Sequence, residues 1–136
     1  MIGRSESALA LWAALLGLCG VATAAAAAHL TSATSLNAAA LILLSHAPAI
    51  IASLSAARNQ IINHRMGIIA AGLLAFGASL FSSDIAFRVF WGTPLFPMAA
   101  PVGGFILMIG WGFLAFSALA SLVQRVRPRD NGKTLG

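Results

Sequence analysis

This sequence has very few charged residues. Eight Lys and Arg and three Asp and Glu stand among 136 residues, or 8%, whereas a soluble domain carries about 25%. They leave three intervals without any charge, 7–57, 66–83 and 89–124, and the mean hydropathy is +0.92. This composition excludes an ordinary soluble domain and predicts an integral membrane protein.

Several patterns that carry chemistry are also missing. Cys19 is the one cysteine, so no disulfide forms within the chain, and we expect its thiol to pack as a small apolar group. There are no paired cysteines and no His-x-x-x-His, and Gly103-Gly104 lacks the lysine and the preceding strand of a phosphate loop. No serine has a His and an acid placed to activate it. We therefore expect no metal, no cofactor and no catalytic residue, and the chain is predicted not to be an enzyme.

Four apolar runs are long enough to cross a bilayer, which takes about 20 residues. They are 8–30, 36–56, 66–83 and 101–123. This predicts one all-α domain over 1–136, an antiparallel bundle of four transmembrane helices with a tail at 124–136. The third helix can gain a turn beyond Ser83, since residues 85–87 are apolar. The aromatic connection 84–100 is predicted to be amphipathic or partly re-entrant, and Gly92-Thr93-Pro94 breaks any helix there.

The basic residues are distributed unevenly about these spans. Seven lie at places that four spans put on one side, and Arg88 alone lies on the other. The seven are Arg4, Arg58, Arg65, Arg125, Arg127, Arg129 and Lys133. This bias predicts that both termini are cytoplasmic, N-in and C-in. Because these residues flank spans and do not form a folded basic surface, we expect no nucleic acid partner. The first span imitates a secretory signal, but its apolar run continues to Leu30, which favours a retained helix.

Small residues recur at helical spacing on three spans. They are Ala13 and Gly17; Gly20, Ala24 and Ala28; Ala71, Ala75, Ser79 and Ser83; and Gly103, Gly110 and Ser117. Helices in lipid associate through close packing, which small residues permit. We expect helix contacts at Gly17, Gly20, Gly103, Gly104 and Gly110, either inside the bundle or with a partner helix.

His46 is the one ionisable residue in the middle of a span, about 15 Å deep at 1.5 Å per residue. A proton relay or a metal ligand is one interpretation. A neutral imidazole bonded to a helix carbonyl is the other, and it is favoured because no acid lies at that depth. Pro48 removes the N–H that would bond the carbonyl of Leu44, so that carbonyl needs another donor, which Ser45, His46 or a neighbouring helix can supply. His29 lies about 15 Å away along the membrane normal, so the two histidines do not fit one haem.

Three polar residues are predicted to meet at the outer rim. His29 ends the first span there, Asp84 ends the third, and Arg88 follows Asp84 by four residues. We expect a hydrogen-bonded cluster, and a structural clamp is favoured over an acid–base pair because rim positions are wet.

Several motifs resemble those of one family. They are Leu80-Phe81-Ser82-Ser83-Asp84-Ile85, Gly92, Leu95-Phe96-Pro97-Met98-Ala99-Ala100-Pro101-Val102-Gly103-Gly104, Gly110-Trp111, Ala28-His29 and His46-Ala47. The chain resembles, over about 8–123, the uncharacterised bacterial membrane family called domain of unknown function 423. Leu30 and Ser83 stand where the family pattern has glycine. The resemblance implies a small four-helix protein of the bacterial inner membrane and implies no activity.

Three hypotheses of function follow. The first is a structural or accessory subunit that contacts the lipid bilayer and either other membrane subunits or further copies of itself. The alternative is a small oligomeric transporter or channel that uses His46 near the Pro48 helix break. A distant third is an enzyme with its chemistry at His29, Asp84 and Arg88.

Overall fold

The computed structural model describes residues 3–30 and 34–126, which form four α-helices and no strand. The helices are α1 (Arg4–His29), α2 (Thr34–Arg58), α3 (His64–Trp91) and α4 (Ala99–Val126). Each contains a stretch long and apolar enough to cross a membrane. The prediction of an all-α protein with four transmembrane helices is therefore confirmed.

The third helix is longer than its predicted span. It continues past Ser83 to Trp91, so the expected extra turn is present and is followed by another. The prediction that the connection begins at Asp84 is wrong, because residues 84–91 complete α3 and only 92–98 form a loop. The helix ends at Gly92, whose φ of 73° is left-handed and suits glycine. At the other boundary, α4 extends to Val126, and the rest of the predicted tail lies outside the described residues.

Local side chains explain where two helices begin. Asn63 caps α3, because its side-chain oxygen accepts the backbone N–H groups of Arg65 at 3.1 Å and Met66 at 3.3 Å. Glu6 reaches back at the start of α1 and accepts the backbone N–H of Gly3 at 3.2 Å. Both contacts satisfy donors that have no partner inside the helix.

The helices α2 and α3 occupy the centre of the protein. In their most apolar stretches 39% and 44% of the residues are buried, against 17% in both α1 and α4. The helix α1 packs along α2 and touches α3 less, while α4 packs along α3. Small and aliphatic side chains fill the core, with Ile50, Ala71, Leu74, Ala75 and Ala78 fully buried.

Polar contacts bring three chain segments to one end of the bundle. The His64 Nε2 atom lies 3.5 Å from a Glu6 carboxyl oxygen, which joins the start of α3 to the start of α1. Arg125, near the end of α4, donates Nη2 to the carbonyl of Gln60 at 2.7 Å. Arg88 lies on the last turn of α3, at the opposite end. The described basic residues thus divide as the sequence predicts, and the assignment of their end to the cytoplasm stays a prediction.

Candidate functional site

The seven-residue stripe on α4 lies along α3. Gly103, Gly110 and Ser117 are all buried. A Cβ at Gly103 would lie 2.6 Å from the backbone nitrogen of Phe81, and one at Gly110 would lie 2.9 Å from Leu74 Cδ2. Seven residues turn an α-helix by nearly two full turns, so the stripe drifts only about 20° per step. Gly103 therefore marks a contact of backbone on backbone that no larger residue fits.

The four-residue stripes on α1 and α3 are buried at one end and exposed at the other. Gly20 is buried, Ala24 is half-buried and Ala28 is exposed, and the series from Ala75 to Ser83 on α3 changes in the same way. A step of four residues rotates the position by about 40° around the helix. Such stripes therefore pack at one end and turn outward at the other.

The remaining predicted packing glycines differ in how closely they are approached. A Cβ at Gly20 would lie 2.8 Å from Leu44 Cγ, one at Gly17 would lie 3.6 Å from the Ala47 methyl, and one at Gly104 would lie 3.9 Å from a ring carbon of Phe81. Gly20 is therefore a tight contact with α2, whereas Gly17 and Gly104 are ordinary ones.

Two close glycine contacts were not predicted. A Cβ at Gly67 would lie 2.6 Å from the Ala57 methyl, and one at Gly77 would lie 3.0 Å from the carbonyl oxygen of Gly103. A glycine inside an apolar helix could have indicated these contacts. Glycine lowers helix stability by about 1 kcal/mol relative to alanine, and close packing can offset that loss.

The His46 ring joins α2 to α4. Its Nε2 atom accepts the indole N–H of Trp111 at 3.2 Å, and its Nδ1 atom lies 2.8 Å from the carbonyl oxygen of Ile42. An indole nitrogen is a donor only, so Nε2 carries no proton and the neutral ring donates from Nδ1. Both ring nitrogens are thus occupied, and His46 is buried. This geometry is the neutral imidazole of the favoured interpretation, with Trp111 as an unpredicted partner.

Neither Ser45 nor His46 replaces the donor that Pro48 lacks. The Ser45 hydroxyl donates to the carbonyl of Ile42 at 3.2 Å, as His46 does, and neither bond goes to Leu44. Pro48 lies inside a continuous α2. Two of the three predicted donors for the Leu44 carbonyl, Ser45 and His46, are therefore ruled out.

At the opposite end Asp84 holds the loop before α4. Its carboxylate accepts Arg88 Nε at 2.8 Å and the backbone N–H of Leu95 at 2.9 Å. The Asp84 side chain is fully buried, while that of Arg88 is 49% exposed. The expected wet rim is thus wrong for Asp84, because residues 92–98 fold over it.

His29 does not complete the predicted rim cluster. It is exposed at the end of α1, and among the described residues the hydrogen bonds of Asp84 go to Arg88 and Leu95 and none to His29. The cluster is a pair that clamps a loop, and the three-residue convergence that a catalytic rim needs is absent from residues 3–30 and 34–126.

A groove of about 420 Å³ separates α1 from α3 on one side. Trp12 crosses it and donates its indole N–H to Ser79 at 3.0 Å. Cys19 lines the groove and is exposed, so its thiol lies outside the core of the bundle.

The four helices and the contacts among their own side chains define a membrane-spanning bundle. Residues 22–104 match the family model described as "Protein of unknown function (DUF423)". The match covers more than half of the chain, so the protein belongs to this family, and the resemblance in its sequence is confirmed. The match includes His29, His46 and Asp84 and ends before Trp111. No curated protein and no solved structure matches the chain.

Proposed function

We propose that this protein is a non-catalytic accessory subunit of a larger complex in the bacterial inner membrane, with both termini in the cytoplasm. The observation that carries the proposal is that the buried polar side chains serve the fold. Among the described residues, no buried side-chain nitrogen or oxygen lacks a hydrogen-bond partner. His46, the one ionisable group at mid-depth, uses both ring nitrogens internally. The role of the protein is then assigned to its outer surface, where we expect other chains to bind.

The two flanking helices supply that surface. Leu18 on α1 is 67% exposed and Met108 on α4 is 60% exposed, and neither helix is covered on its outer side by another described part of the chain. The basic end supports the proposed orientation, because Arg58, Arg65 and Arg125 lie near one membrane face.

Cross-linking in the native membrane tests this proposal. A photoreactive residue at Leu18 or Met108, in the full chain at native expression, is expected to give one adduct of discrete mass. Leu41 on α2, also 67% exposed, is the matched control on a central helix. A native gel in mild detergent is expected to show a complex well above the monomer. Migration only as a free monomer, with no adduct at any position, would refute the proposal.

A small oligomeric transporter is the second candidate, and Pro48 favours it. The proline leaves the Leu44 carbonyl without its usual helical donor beside His46, and carbonyls freed from helical bonding often coordinate ions in transporters. Ion flux in proteoliposomes is the test, with His46→Ala and Trp111→Phe compared with the wild type. Flux that falls only in His46→Ala supports a role for the imidazole, and equal flux in all three removes His46 from any mechanism.

A further inference from the structure

Two grooves beside α4 meet at Met66, the first facing α3 and the second facing the start of α3 and the residues just before it. The first, of about 490 Å³, has only apolar side chains and one glycine, namely Met66, Ile109, Gly112, Phe113 and Phe116. The second, of about 350 Å³, has Met66 in common with the first. Its lining includes the polar side chains of Gln60, Asn63, His64, Ser121 and Gln124. Together they form one furrow with an apolar end and a polar end.

The length of this furrow matches one leaflet of a bilayer. From Ile109 to Gln124 the helix α4 rises about 22 Å at 1.5 Å per residue. A bilayer with its headgroups is about 40–45 Å thick, so one leaflet is about 20–22 Å. The apolar end lies in the middle of α4 and the polar end lies at its last turns. This order matches that of one lipid in a leaflet, whose tail lies near the middle of the bilayer and whose headgroup lies at its surface.

Gly112 shapes the apolar end. A Cβ built at Gly112 has no atom of the chain within 4 Å, and the residue is exposed. By contrast, Cβ atoms at Gly103 and Gly110 would come within 3.0 Å of α3. The notch at Gly112 is thus left open by the bundle, and Phe113 and Phe116 line the same groove.

Charge at the polar end favours an anion. Arg125 is exposed and its Nη2 atom holds the carbonyl of Gln60, which puts a guanidinium at the rim of the polar groove. Arg65 is exposed beside His64 and Met66, which both line that groove. Glu6 is the one acidic residue that the described chain places at this end, and it faces His64 at 3.5 Å.

We propose that the α3–α4 furrow binds one anionic phospholipid, with an acyl chain over Gly112 and the headgroup phosphate beside Gln124 and Arg125. Basic pockets between helices on the cytoplasmic side are suited to anionic headgroups. The site does not depend on the accessory role proposed above, because all its residues belong to this chain.

Native mass spectrometry of the full chain in a neutral detergent tests the site. Phosphatidylglycerol is compared with phosphatidylcholine of the same acyl chains, and about fivefold higher retention of phosphatidylglycerol is expected, as one basic contact would give. Gly112→Leu fills the notch and is expected to lower retention of both lipids several-fold. Gly72→Leu is the matched control, since a Cβ at Gly72 also meets no atom within 4 Å and Gly72 does not line the furrow.

Headgroup variants test the polar end separately. Gln124→Glu adds a negative charge at an exposed position and is expected to abolish the preference for phosphatidylglycerol, while Arg4→Gln, at the same end on α1, is expected to keep it. Competition by inorganic phosphate would reassign the site to a free anion. Equal retention of both lipids by the wild type, or equal losses in Gly112→Leu and Gly72→Leu, would overturn the proposal. Should Gly112→Leu fail to fold, the result with Gln124→Glu decides.

Discussion

Replacing Gly103 by alanine is predicted to weaken the packing of α4 against α3 and to lower the stability of the fold. The added methyl carbon would lie 2.6 Å from Phe81 N, 3.0 Å from Phe81 Cα and 3.0 Å from the carbonyl oxygen of Gly77. All three are backbone atoms, which cannot turn aside as a side chain does. Overpacking costs about 1–3 kcal/mol, and a backbone contact belongs at the upper end. Alanine recovers about 1 kcal/mol of helix propensity, so a net loss of about 2 kcal/mol in the free energy of unfolding is expected.

Two other glycine-to-alanine changes calibrate this result. Gly112→Ala gains helix propensity without a clash, so its free energy of unfolding should rise by up to about 1 kcal/mol. Gly110→Ala meets the side chain of Leu74 at 2.9 Å and should lie between the two. Unfolding in mixed micelles, followed by tryptophan fluorescence, measures all three variants against the wild type. If Gly103→Ala is as stable as Gly112→Ala, the reasoning from backbone contact is refuted.

Three polar contacts lead to further predictions, each measured by the same unfolding assay. Trp111→Phe keeps an aromatic ring but removes the donor to His46, and should cost about 1 kcal/mol; no loss would refute a stabilising role for this bond. Asp84→Ala removes the carboxylate that pairs with Arg88 and should cost about 2 kcal/mol, and a double-mutant cycle with Arg88→Ala should show coupling between the two side chains. Ser82→Ala removes a hydrogen bond of 3.2 Å to a carbonyl of α2 and should cost about 0.6 kcal/mol, the average for such bonds in membrane proteins.

Structural features that depend on residues close together along one helix could be predicted from the sequence. The four spans follow from apolar length alone, and a close-packing stripe on α4 follows from the seven-residue spacing of Gly103, Gly110 and Ser117, although the spacing does not say which helix it contacts. Gly92 was readable as a helix end because a left-handed residue is usually glycine. Each of these depends only on neighbours along one helix.

Features that depend on how two helices align could not be read. His46 and Trp111 are 65 positions apart, and they meet only when the parallel helices α2 and α4 have one particular offset along their axes. Asp84 was placed on a wet rim because the sequence does not show that Leu95 returns to it. His29 was grouped with Asp84 by depth alone, and depth says nothing about which side of the bundle a residue occupies.

The polar bonds between helices and the tight glycine contacts have different effects in this fold. Lipid tails are as apolar as leucine, so apolar side chains alone do not select one alignment of two helices. A glycine contact such as that of Gly103 allows close approach, and its geometry tolerates few offsets. A side-chain bond of about 0.6 kcal/mol adds little stability, but it forms at one offset only. Bonds of this kind link every helix to another described segment: Trp12 to Ser79, Ser82 to Ala39, Trp111 to His46, and Asn63 to Ser117. Among the described residues, the buried polar side chains are therefore accounted for by bonds within and between the helices, and the proposed lipid site lies on the outer surface.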